Sequence, residues 1–126
     1  MGLLDGLMGN ASEINLTEVE KELEVILIDG EVIEKGYKLI RDLFIFTNSR
    51  LIVVDKQGMT GKKIEYHSVP YKSITHFSVE TAGTFDLDAE LKIWVSSTAE
   101  PLKKQFKKDK SIFDVQKAIA TYVLKR

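Results

Sequence analysis

Two histidines, one acidic run and two lysine clusters are the parts of this chain whose residue types could do chemistry. His67 and His76 are its only histidines. Each falls in a strand-like pattern, with no acid or nucleophile at a suggestive spacing. Triad geometry is spatial rather than sequential, so a small hydrolase using His67 or His76 stays as a third reading. Strand residues at or near the surface are the expectation. No P-loop, dinucleotide fingerprint, nucleophile elbow or H-E-x-x-H occurs, so no catalytic residue and no cofactor are assigned. Asp86, Asp88 and Glu90 share one parity and would project to one side of an extended chain. The run lacks the glycine and the bidentate glutamate spacing of an EF-hand loop, and three oxygens fall short of the roughly six or more that calcium takes. A solvated acidic turn is expected, and no metal site is assigned.

Lys62 and Lys63 end a loop that carries Gly58 and Gly61, while Lys103, Lys104, Lys107, Lys108 and Lys110 crowd before the C-terminal segment. Such runs are usually solvated surface that keeps a protein in solution. Their other reading is a weak, salt-sensitive affinity for anionic lipid, at ~1 kcal/mol per basic residue near the surface. The candidate anion or lipid contacts are Lys62, Lys63, Lys103, Lys104, Lys107 and Lys108.

The 126 residues fit a single domain, and a hydrophobic fraction of 44% is enough for a core. A net charge of -1 and a pI near 6.1 argue against a nucleic-acid partner. The absence of cysteine excludes disulfides and Cys-ligated metal. No run approaches the ~18 apolar residues of a membrane-spanning helix. The N-terminus lacks a basic region followed by a long apolar run, so a cytoplasmic protein is expected and the sequons at Asn10 and Asn15 are chance matches.

These residues must be positioned by short elements. Leu3, Leu4, Leu7 and Met8 gather on one side of a short helix, which Gly2, Gly6 and Gly9 weaken. It is either a loose or self-packed terminus or a subunit or weak membrane contact, the last without the Lys or Arg an interfacial helix carries. Thr17 and Glu20 have capping-box spacing. Val19, Leu23, Ile26 and Leu27 follow as an apolar stripe, which Asp29-Gly30 stops. Short strands come next, over residues 32–39, 43–46, 51–54, 64–69, 74–79, 91–95 and 102–106, separated by polar or glycine-bearing turns. Residues 43–46 are apolar on both faces, so one side should meet another element or another subunit. Pro70 ends or bends its strand. A helix over 111–125 is predicted from Ser111 and Asp114 at cap and N3, with Ile112, Val115, Ile119, Tyr122 and Val123 as its stripe. Phe113 and Leu124 fall together on another side.

Seven short antiparallel strands and one capped helix predict a mainly β (α+β) fold, a barrel or sandwich closed by its C-terminal helix, with an N-terminal helical segment. We assign 1–29 to that segment and 30–126 to the β domain. The blocks FTNSRLIVVDKQGMTGKKIEY (46–66), VPYKSITHFSVETAGTFDLDAELKIWVS (69–96) and IRD (40–42) resemble the bacterial pleckstrin-homology-like family, short prokaryotic proteins of unknown function. The resemblance spans roughly residues 31–126. It implies a seven-stranded pleckstrin-like barrel with a C-terminal helix, no known enzymatic activity, and assembly into ring-shaped oligomers. Eukaryotic pleckstrin domains hold phosphoinositide heads on basic residues between their first two strands. The corresponding turn here, near Arg41-Asp42, is short and nearly lacks base, so inositol lipid binding is not carried over.

The leading expectation is a non-enzymatic binding or scaffold module that self-associates, with Leu3, Leu4, Leu7, Phe44, Phe46, Phe113 and Leu124 as candidate contacts between copies and another protein as a further partner. The alternative is a peripheral membrane adaptor using the lysines and the Leu3–Met8 segment. One continuous basic face would favour the membrane; scattered lysines would favour the scaffold.

Overall fold

A computed structural model describes residues 16–39, 42–57, 63–81, 88–107 and 111–125. The chain divides into two compact units, Met1–Ser68 and Val69–Arg126. Among the described residues of the first, helix α1 (Leu16–Leu23) is followed by strands β1 (Ile33–Lys38), β2 (Asp42–Thr47), β3 (Arg50–Gln57) and β4 (Lys63–Pro70), the last two residues of β4 falling in the second unit. These strands form one sheet in the order β1-β2-β3-β4. Leu16, Val19 and Leu23 recur at i, i+3 and i+7 on α1, and all three are buried. They meet Ile33, Ile45, Ile52 and Val54 in one cluster, with Ile26, Leu27, Leu43 and Ile64 packed against it. The Tyr66 hydroxyl donates to Glu22 Oε2 at 3.0 Å and ties β4 to the helix.

The other parity of β2 and β3 is equally dry. Phe44 pairs with Val53 and Phe46 with Leu51, and all four are buried. Tyr37 and Phe44 each meet Phe46 edge to face, at 6.0 and 6.5 Å. Two buried faces explain why the runs LFIF and LIVV do not alternate.

Helix α1 stops at Leu23, short of the expected end at Asp29-Gly30. Its successors are claimed by other partners. The Ile26 and Leu27 amides both return to the Leu23 carbonyl. Arg50 Nη2 takes the Ile26 carbonyl at 2.7 Å, and the Ile28 amide donates to Glu31 Oε1 at 3.1 Å. Ile26 and Leu27 still pack on the cluster, as a helix would have made them do. Gly30 then turns the chain at φ 82°, where a side chain is disfavoured.

In the second unit a 3₁₀ turn (Tyr71–Ser73) leads into β5 (Ile74–Thr81), β6 (Asp88–Val95) and β7 (Leu102–Lys107), and helix α2 (Ser111–Leu124) ends it. The three strands form an antiparallel sheet in the order β5-β6-β7. Ala89, Leu91 and Ile93 alternate inward along β6. Helix α2 buries Ile112, Val115, Ala118 and Ile119 and lies against β5 and the 3₁₀ turn. There Tyr122 stacks on buried Tyr71 at 4.8 Å and 18°. The seven antiparallel strands and the C-terminal helix expected from sequence are thus present. Among the described residues they form two sheets that are not closed into a barrel.

Between β6 and β7, Ser97 adopts φ 70°, a left-handed conformation that costs a residue with a Cβ about 1–2 kcal/mol. Glycine removes that strain but adds freedom to the unfolded chain. Ser97→Gly is expected to stabilise the protein by a net ~0.5–1 kcal/mol, measured as a higher denaturation midpoint at unchanged slope. A lower midpoint would show that the serine side chain makes a compensating contact.

Candidate functional site

The most highly organised polar site lies where the segment after α1 meets the β2–β3 turn. Glu31 is buried there, and its side chain has no exposed surface. Arg50 grips it with two bonds, Nε to Oε2 at 2.9 Å and Nη2 to Oε1 at 2.9 Å. The Thr47 hydroxyl donates to Oε2 at 2.6 Å and the Ile28 amide to Oε1. Arg50 also donates to the Ile26 carbonyl and, through Nη1, to Ser68 Oγ at 2.8 Å. Burial by itself raises the carboxyl pKa of Glu31. The hydrogen bonds from Arg50, Thr47 and the Ile28 amide, with the guanidinium charge, outweigh it and hold the group at about 2.

Asn48 completes the clamp. Its Oδ1 accepts the Val32 amide at 3.0 Å, its Nδ2 donates to the Gly30 carbonyl at 3.0 Å, and its own amide donates to the Val32 carbonyl at 3.1 Å. Every polar atom just named has a partner, the Thr47 and Ser68 hydroxyls included. The chemistry of the site is to fix a backbone: it holds residues 26–32 in a single shape. Sequence reasoning missed it. Glu31 and Arg50 are nineteen positions apart, and no local spacing links them.

Lys103 and Lys104 do not share a face. The β6–β7 register places Lys103 beside Lys92 and Lys104 beside Leu91, so neighbouring lysines face opposite sides of the sheet. Lys103 is exposed and Lys104 half-buried, while Lys63 is exposed at the start of β4. Lys107 is the last residue of β7. Lys62 and Lys108 lie outside the described residues, as do Leu3, Leu4 and Leu7 and, in the acidic run, Asp86. Lys92 shares its face with Glu90, whose Oε1 is 3.8 Å from its Nζ.

His67 is exposed on β4. His76 stacks on Trp94 across β5 and β6, with centroids 4.3 Å apart and planes at 16°. Its Nδ1 lies 3.0 Å from Thr75 Oγ1, which donates to the Trp94 carbonyl at 3.2 Å. That arrangement orients the imidazole ring. Among the described residues no group of three His, Asp or Glu side chains could hold a metal ion, and no helix is long and apolar enough to cross a membrane.

Phe44 and Phe46 must be removed from the candidate contacts between copies. Both are 0% exposed within one chain, and side chains already out of water gain no hydrophobic stabilisation from a second copy. Phe113 and Leu124 are exposed on α2, at 51% and 70%.

Known proteins give this arrangement a context. Residues 2–123 match the family model described as a bacterial PH domain. The uncharacterized protein YjqA of Bacillus subtilis (strain 168) is 60% identical over 121 residues, covering 95% of this chain and 97% of that one. A pleckstrin homology domain from Shewanella amazonensis SB2B superimposes with a TM-score of 0.82 at 57% identity, over 95% of this chain and 97% of its own. A DUF1696 family protein with a pleckstrin-homology domain, from Shewanella loihica PV-4, gives 0.77 at 57% identity, over 91% and 98%.

Proposed function

This chain belongs to the bacterial PH domain family, and from that premise we propose that it is a non-enzymatic scaffold module of the cytoplasm that self-associates. The observation that carries this reading is the second apolar face of α2. Its first face fills the core of the second unit with Ile112, Val115, Ala118 and Ile119, yet Phe113 and Leu124 remain in water. They are eleven positions apart, which at about 100° per residue returns to the same side of the helix. Exposed apolar side chains on one side of a helix offer surface that a second copy can cover. The lysines support this reading over the membrane adaptor. Lys103 and Lys104 cannot both meet one flat lipid surface when the strand sends them to opposite faces.

Light-scattering mass on a sizing column, at micromolar concentration, tests the proposal. A defined oligomer is expected. Phe113→Asp is expected to shift the mass toward monomer while the thermal transition stays within a few degrees, because an exposed side chain contributes little to the fold, about ±0.5 kcal/mol. A clean monomer for the unaltered chain would refute self-association.

A further inference from the structure

The acids of this chain are unevenly spread. Residues 16–32 hold Glu18, Glu20, Glu22, Glu24, Asp29 and Glu31 against one base, Lys21, although the whole chain has a net charge of only -1. Two of these acids are balanced from outside the segment. Arg50 neutralises Glu31, and Lys56 Nζ lies 4.0 Å from Glu22. Glu18, Glu20, Glu24 and Asp29 are exposed, and among the described residues no ion pair engages them. Thr17, Glu20, Lys21 and Glu24 recur at i, i+3, i+4 and i+7, on one side of α1 and the turn after it. With Leu27 they line an open groove of about 320 Å³.

Apolar side chains stand in the same segment. Val25, Ile28 and Val32 are 88%, 64% and 53% exposed. The backbone that carries them is already engaged. The Ile28 amide donates to Glu31 and the Val32 amide to Asn48, while the Ile26 carbonyl accepts from Arg50 and the Gly30 carbonyl from Asn48. The Ile28 carbonyl takes the Glu31 amide, and the Val32 carbonyl takes the Asn48 amide. An added strand needs free N–H and C=O groups to pair with, and this segment offers few. It offers side chains held in one shape, and such prior ordering removes much of the entropy that a contact would otherwise lose. A helix suits such a surface, because it satisfies its own backbone and binds through side chains.

We infer that the Val25–Ile28–Val32 surface, with the groove along α1, is a docking site for an amphipathic helix of another protein, apolar on one side and flanked by Lys or Arg. The apolar side covers Val25, Ile28 and Val32, and the basic heads meet Glu20, Glu24 and Asp29. Lys and Arg stems are themselves apolar and lie along Leu27 while their charges stay wet. The site falls wholly within the first unit and uses neither Phe113 nor Leu124, so it stands apart from the self-association proposed above.

The probe is a labelled helical peptide of leucine and lysine, about 18 residues or roughly five turns long, with its leucines along one side. Binding to the full chain is read by fluorescence anisotropy, and folding of each variant by thermal melt. Saturable binding is expected at low salt, weakening as salt screens the charges. Ile28→Ser keeps the Ile28 amide on Glu31 and removes only apolar surface; it is expected to weaken binding about tenfold. Glu24→Lys is expected to weaken it by about tenfold or more at low salt. Glu80→Lys makes the same charge change on exposed β5 and is expected to leave binding within about twofold. A peptide of identical composition with its leucines scattered should bind about tenfold more weakly or worse. The inference is overturned if the peptide does not saturate, if the scattered peptide binds equally well, or if Glu80→Lys weakens binding as much as Glu24→Lys. It is equally overturned if Ile28→Ser lowers the light-scattering mass of the chain alone, since a second copy would then be what covers the surface.

Discussion

Arg50→Ala is expected to destabilise the protein by about 3–5 kcal/mol, the range for breaking a buried ion pair from one side. The reason is the carboxylate left behind. With Arg50 gone, Glu31 keeps the Thr47 hydroxyl and the Ile28 amide but has no counter-charge. The Ile26 carbonyl and Ser68 Oγ lose a donor as well. Glu31→Leu combined with Arg50→Met should cost less than the sum of the single changes, since two apolar groups leave no charge stranded. Chemical denaturation of the four proteins closes the cycle. Single variants within 1 kcal/mol of the unaltered chain would show that water reaches the pair.

The same network sets a pH signature. Glu31 is held at about 2 against an ordinary 4.5, so in the native state it stays ionised to lower pH than in the unfolded chain. A depressed carboxyl contributes stability that is fully present above pH 4.5 and is lost as pH falls toward 2. The linked amount is about 3 kcal/mol, at 1.36 kcal/mol per pKa unit. Glu31→Gln should lack this slope. Denaturation midpoints of the two proteins should therefore converge between pH 4.5 and pH 2, and curves that stay parallel would contradict the assignment.

Phe46→Ala is the second large expected effect, a loss of about 3–5 kcal/mol for truncating a fully buried aromatic. Phe46 is 0% exposed, pairs with Leu51 across the β2–β3 ladder and receives the rings of Tyr37 and Phe44 edge to face. The alanine would leave a cavity lined by side chains that strand geometry prevents from closing in. Phe113→Ala, at an exposed position of α2, is the contrast, expected within about 0.5 kcal/mol. Urea denaturation of both separates the core role from the surface role. Phe46→Ala lowering only the oligomer mass, at unchanged monomer stability, would return Phe46 to a subunit contact.

Much of the architecture was legible because it is local. Strands and helices follow from periodicity and punctuation, and β6 and α2 appear where alternation and capping placed them. The end of α1 was not legible. The apolar stripe continues through Ile26 and Leu27, but Arg50 and Glu31 draw off the backbone groups that a longer helix needs. The split of Lys103 from Lys104 was available in principle, since adjacent strand residues must face opposite sides; counting charges along the chain hid it. Val25 and Ile28 stood off the predicted stripe and gave a weak signal of the same kind.

Residues 43–46 mark the limit most clearly. Their composition required that both faces of β2 leave water, because each parity is apolar. It could not say whether the second face meets the chain's own residues or another copy, since the hydrophobic effect is indifferent to whose surface covers it. The sequence by itself determined the element types, their order and the family. Only the tertiary structure decided that Phe44 and Phe46 are core, that Glu31 and Arg50 meet across nineteen positions, and that Val25, Ile28, Val32, Phe113 and Leu124 stay in water. Those outcomes depend on contacts between residues distant in the chain, which no local pattern encodes.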